Sequence, residues 1–239
     1  MTINVTKNPL PAEYIGVWQR DLLETATIKD TTTLVLWMQT KQYHIDIRIP
    51  ASRAVIRAVH SLEDYNDEEL LILASQQGFA GITQVTPSTA KSSDICQWHR
   101  EIDFQPKTDV RDIGKMVFTD ANTIIETGLD DEYLEVWRRL ADSQKPCLFK
   151  STIGKNRKGL ATPAYYMRAG NFVAYARPRQ IYLPKIDSLI NAIYAIKPVR
   201  DKLLDWLDME ISFGEVIDEK GWKIKYSTLP FKESLIVGL

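Results

Sequence analysis

Tyr43-His44-Ile45-Asp46-Ile47-Arg48-Ile49 is apolar at every odd position and polar at every even one, and it stops at Pro50. Successive strand side chains point to opposite faces, so the alternation reads as a half-buried antiparallel strand ended by a residue that cannot donate to a ladder. Outward from it, similar patterns predict strands at about Tyr14–Glu24, Thr32–Thr40, Phe79–Thr86, Ile95–Phe104, Lys115–Phe118 and Thr123–Glu126, with a turn at Thr119-Asp120-Ala121-Asn122. One helix interrupts the series. Asn66 caps it, Glu69 completes a capping box, and Gly78 is expected to stop it.

After Gly128 the pattern resumes, with strands near Tyr133–Ala141, Cys147–Ile153, Ala164–Arg168, Phe172–Arg177, Glu210–Ile217, Trp222–Thr228 and Ser234–Val237. Ile186, Leu189, Ile190 and Ile193 follow helical spacing, and Pro198 opens a second helix carrying Leu203, Leu204, Trp206 and Leu207. Lys155-Asn156-Arg157-Lys158-Gly159 reads as a solvated loop tip.

Tyr14, Val17, Trp18 and Arg20 recur as Tyr133, Val136, Trp137 and Arg139 at identical spacing, about midway through a chain of 239 residues. This suggests a tandem duplication. The expectation is a mainly β protein of two tandem antiparallel barrels, residues 1–128 and 129–239, the second with a helix pair. No Pro/Gly/Ser-rich linker separates them, so they should pack on each other, with Trp18 and Trp137 at equivalent places.

Thirty Lys and Arg balance 31 Asp and Glu, a net charge of -1, and 44% of residues are hydrophobic. That composition supports a sizeable core and lacks the basic footprint of a nucleic-acid binder. Met1–Pro11 carries Asn and Pro where a signal peptide needs an apolar run, and no stretch is apolar enough to span a membrane, so the expected location is cytoplasmic. Cys96 and Cys147 are far apart, which indicates neither a disulfide framework nor a zinc site, and no cofactor motif is present.

Gly16-Val17-Trp18 resembles the G-x-W signature of lipocalins and the wider calycin group, whose barrels hold small ligands. Leu36-Trp37-Met38-Gln39-Thr40, Ile45–Pro50, Trp98–Pro106 and Glu126-Thr127-Gly128 followed by Tyr133, Trp137 and Arg139 resemble more specifically a little-characterised family. Its fungal member is known to interact with a casein-kinase-I-type kinase, and its bacterial members are mostly called hypothetical. The resemblance implies two lipocalin-like (calycin) β-barrels in one chain with a few short helices. It implies no catalytic residues.

Trp-x-Arg occurs at Trp18/Arg20, Trp98/Arg100 and Trp137/Arg139, and residues two apart on a strand share a face. Arg100 falls among Cys96, Trp98, Ile102 and Phe104, on what should be the core face. A buried guanidinium needs partners. Either these arginines line a cavity and meet an anionic group, or they stack on Trp at a barrel end and bond to carbonyls or to a carboxylate such as Asp46. His44, Asp46 and Arg48 share one polar face, and His99, Glu101 and Asp103 another. Parity favours an outward, solvated face, and an inward one would offer a histidine base. The candidate ligand-binding residues are Trp18, Arg20, Asp46, Arg48, Trp98, His99, Arg100 and Arg139, with Asp46 and Glu126 as possible internal counter-ions. The favoured function is binding of a small amphiphilic or anionic ligand in a barrel cavity. An enzyme using a His/carboxylate pair and a scaffold for a protein partner are the alternatives.

Overall fold

The computed structural model describes residues 9–55, 58–87, 93–219 and 221–238. The amino-terminal leader reading rests mostly on residues 1–8, which lie outside the described residues. β1 (Gly16–Thr25), β2 (Lys29–Asp30), β3 (Leu34–Gln39), β4 (Tyr43–Ile49), β5 (Gln77–Thr86), β6 (Asp94–Asp103), β7 (Asp112–Asp120), β8 (Thr123–Gly128) and β9 (Tyr133–Arg139) form one antiparallel sheet. β9 pairs back onto β1, so that eight strands close into a barrel and the two-residue β2 hangs on β1. Closure leaves no free edge.

β10 (Cys147–Lys155), β11 (Ala161–Ala169), β12 (Phe172–Arg177), β13 (Glu210–Asp218), β14 (Gly221–Ser227) and β15 (Ile236–Gly238) form a second antiparallel meander that stays open as a half-barrel. α1 (Asp67–Ala74) lies between β4 and β5, and α2 (Leu189–Ile196) and α3 (Arg200–Leu207) lie between β12 and β13. The expected capping box is present. The backbone N–H of Asn66 donates to Glu69 Oε2 at 2.8 Å and that of Glu69 to Asn66 Oδ1 at 2.9 Å. Gly78 does not stop this helix, which ends at Ala74. It sits in β5, where a Cβ would lie 2.8 Å from the Asp46 carbonyl and 2.9 Å from Ile211 Cδ1. The close approach of the two sheets explains the glycine.

Tyr133–Arg139 does not begin the second half. It is the strand that closes the first barrel, and Trp18 lies opposite Arg139 while Arg20 lies opposite Trp137. Trp18 and Trp137 are therefore in one barrel, and the recurring motif is a reciprocal cross-strand pairing of two antiparallel Trp-x-Arg segments. The change of sheet falls between Arg139 and Cys147.

The outward expectation for His44, Asp46 and Arg48 is also overturned. Ile45, Ile47 and Ile49 join Val17, Leu36 and Met38 in a core shared with Met167, Ala174, Ala176, Ile211 and Phe213 of the second sheet and with the helices. The outer surface of the barrel here is an apolar interface, so the polar residues turn inward. β6 serves both cores through a bulge. Ala80 pairs with Ile102 and Gly81 with Arg100, so Glu101 is extra and parity switches. Before it Cys96 and Trp98 face the barrel interior, and after it Ile102 and Phe104 face the interface.

Arginines fasten the interface. Arg179 donates to the carbonyls of Trp206, Asp103 and Phe104 at 2.8, 3.0 and 2.7 Å. Arg157 is no solvated loop tip. Its guanidinium bonds Glu63 at 2.9 Å, Asp205 at 2.8 Å and Asp201, which fixes the β10–β11 loop on α3. Among the described residues no helix is long and apolar enough to cross a membrane.

Candidate functional site

Inward positions of β1, β3, β6 and β9 carry Trp18, Trp37, Trp98 and Trp137, four of the six tryptophans in the chain. Trp37 stacks on Trp18 with centroids 6.2 Å apart and meets Trp98 and Trp137 edge-on, each at 5.7 Å. These rings fill the barrel. The space left between Trp37, Trp98, Trp137, Phe79, Asp46 and Glu126 is about 10 Å³. That is room for one water, against the roughly 300–1,000 Å³ of ordinary ligand sites.

Around this packed centre lies a charged ring. Arg20 donates to Glu135 at 2.7 Å and to Asp30 at 2.8 Å. Arg48 bonds Asp46 at 2.9 Å. Arg100, a third exposed, bonds Asp112 at 2.7 Å and Asp103 at 3.3 Å and stacks 3.7 Å over Phe79. Each guanidinium thus already has a carboxylate. Among the described residues no guanidinium bonds Glu126: Tyr133 and Trp137 donate to its oxygens at 2.7 and 3.0 Å. Burial, with the nearby Glu135 carboxylate, pushes its pKa up to about 8.

Among the described residues neither His44 nor His99 hydrogen-bonds a carboxylate. His44 is buried with Nδ1 2.9 Å from Thr83 Oγ1, which itself donates to Gln39 Oε1 at 2.7 Å. Thr83 is therefore the acceptor, the proton sits on Nδ1, and Nε2 is a buried atom without a described partner. Burial, with the Arg100 and His99 charges, lowers the His44 pKa to about 3. His99 is half-buried, and its Nε2 lies 3.4 Å from Gln84 Oε1. Cys96 is buried among the indoles, and burial drives its thiol pKa well up.

The other end of the barrel is shut by the short 3-10 turn Ala12–Tyr14. Trp18 Nε1 donates to the Tyr14 carbonyl at 2.9 Å, and Arg139 lies 4.4 Å over the Trp18 ring. Arg139 donates to the carbonyls of Glu13 at 2.6 Å, Ala121 at 2.7 Å and Ile15 at 3.3 Å, and its Nε is buried without a described partner. Burial lowers its pKa. Beside this arginine lies a groove of about 920 Å³, bounded by Ile15, Lys41, Asn122 and Asn171 and by the connection from Leu140 to Lys145. Asp142 holds that connection in a left-handed conformation at φ 55°, and its carbonyl accepts the Asn171 N–H at 2.9 Å.

A family profile described as Protein HRI1 matches residues 18–169, well over half of the chain. The chain belongs to the HRI1 family. Comparison with curated protein sequences gives no match. Among solved structures, the crystal structure of the uncharacterized protein YLR301w from Saccharomyces cerevisiae superposes with a TM-score of 0.54 at 11% identity, covering 89% of this chain and 84% of that one. That likeness is one of fold.

In this HRI1-family barrel the sequence-predicted residues divide between two places. Asp46, Arg48, Trp98 and Arg100 belong to the interior and its charged ring, with Arg20 joined to them through Glu135, while Trp18 and Arg139 close the far end and His99 stands apart. Arg100 is not the buried charge its parity predicts: just before the bulge it is a third exposed and already paired with Asp112 and Asp103. Lys41, Asn122, Lys145 and Asn171 escape sequence reading altogether. They lie in turns of both sheets and in the connection between the sheets, and only the assembled fold brings those segments together.

Proposed function

We propose that the protein is a small-ligand-binding module of calycin type whose ligand seat lies outside the barrel, in the groove over its closed end. The contrast of volumes carries this reading: about 10 Å³ among the indoles and about 920 Å³ beside Arg139. The lining supports an amphiphilic ligand. Ala12, Ile15, Leu140 and Ala141 offer apolar surface, and Asn122, Ser143 and Asn171 offer polar groups. Native mass spectrometry of the purified chain and of an Asn171→Trp variant tests it. A co-purified small molecule present on the first and absent from the second is the expected result. Equal occupancy of both would remove the ligand from the groove.

A further inference from the structure

Resting on that reading, we infer that the groove takes an organic phosphate, with the phosphate beside Arg139, Lys41 and Lys145. The charge balance carries the argument. Three cations and one acid, Asp142, line the groove, while the chain as a whole is at net charge -1. Among the described residues, Lys41 and Lys145 have no ion-pair partner, whereas Arg20, Arg48 and Arg100 are each matched by carboxylates.

Arg139 is the unusual member. It is nine-tenths buried, its hydrogen bonds go to carbonyls, and the acid whose charge acts on it, Glu13, makes no ion pair with it among the described residues. Carbonyl bonds orient a guanidinium without neutralising it, so its charge remains to act on whatever occupies the groove. A lining surplus of two positive charges suits a phosphate monoester, which carries about −1.5 to −2 at neutral pH, better than a carboxylate. The side-chain amides of Asn122 and Asn171 supply neutral donors, and the apolar surface at Ile15 and Leu140 receives the organic part. The barrel interior, with its surplus of carboxylates, would repel such a ligand.

The test is calorimetric titration of the full chain with phenyl phosphate, benzoate and benzyl alcohol. Phenyl phosphate should bind tightest, strengthen between about pH 5 and 7 as its second proton leaves, and weaken with added salt. Lys41→Glu/Lys145→Glu, at sites without ion pairs, should weaken it at least about tenfold, and Asn171→Trp should abolish it. Arg139→Ala is the less secure variant because Arg139 also closes the barrel, so the lysine pair decides. Benzoate binding as well as phenyl phosphate would overturn the phosphate assignment. So would equal binding of benzyl alcohol with no response to charge reversal, although loss of binding in Asn171→Trp would then still uphold the groove. Phenyl phosphate binding unchanged in Asn171→Trp would overturn the groove itself, and no binding of phenyl phosphate at millimolar concentration would overturn the inference.

Discussion

Arg139 and Trp18 face each other across the β1–β9 pair, the guanidinium 4.4 Å over the indole, and this contact seals one end of the barrel. The same arginine ties the last strand to the turn before the first and to the β7–β8 hairpin through three carbonyls. One side chain therefore ties down that end of a barrel whose closure is the β1–β9 ladder. Arg139→Ala should cost about 2–4 kcal/mol in urea unfolding, since it loses the ring contact and leaves buried carbonyls unpaired. A cost below about 1 kcal/mol would show that closure rests on the backbone ladder alone.

Arg20, opposite Trp137 in the other half of the reciprocal pairing, bonds Glu135 at 2.7 Å with both side chains nearly fully buried. Arg20→Ala strands the buried Glu135 carboxylate and should cost about 3–5 kcal/mol, whereas Glu135→Ala leaves Arg20 its 2.8 Å bond to Asp30 and should cost less. The double variant should cost clearly less than the sum of the two. A double-mutant cycle by denaturant melts reads this, and strict additivity would argue against coupling.

Stability should fall on both sides of an intermediate pH. Glu126 has a folded pKa raised to about 8 from 4.5, so the folded protein holds a proton the unfolded chain releases, and stability falls as pH rises through that window. His44 is depressed to about 3 from 6.5 and acts oppositely, with stability lost as pH falls from 6.5 toward 3. Glu126→Gln should flatten the alkaline decline, and thermal melts between pH 5 and 9 would read it. Tyr133 can turn to accept from the new amide. An unchanged slope would mean that Glu126 is ionised in the folded state at neutral pH.

Gly78→Ala should destabilise by about 1–3 kcal/mol, because its Cβ would meet the Asp46 carbonyl at 2.8 Å and Ile211 at 2.9 Å from opposite sheets. Its signature should be a loss of interface packing with the barrel retained, visible as earlier hydrogen exchange in β13 than in β3. Exchange that quickens equally in both would point to a barrel defect instead.

The strands were legible because alternation records which positions are half-buried, and β4 coincides with its predicted stretch residue for residue. Alternation does not record which side is the inside. Ile45, Ile47 and Ile49 are buried as strongly as a core demands, yet they are buried between sheets, and that is a property of the whole fold. The Trp-x-Arg spacing was visible, but its meaning was not: two matching segments fit a duplication or an antiparallel pairing, and only register decides. Arg139 was singled out from the chain, whereas Lys41, Lys145 and Asn171 became neighbours of it only through loop closure.

β4 has no face to spare for water: His44 and Asp46 are buried on one side and Ile45, Ile47 and Ile49 on the other. The closed barrel is consequently not portable. Cut free after residue 140, it would keep every strand of its ladder and still present a sticky apolar flank, Val17, Leu36, Met38, Ile45 and Ile47 among it, to any other molecule in solution. Fragments, fusions and split reporters made from this chain must carry the half-barrel along, and natural shuffling of the barrel as a free-standing cassette is barred for the same reason.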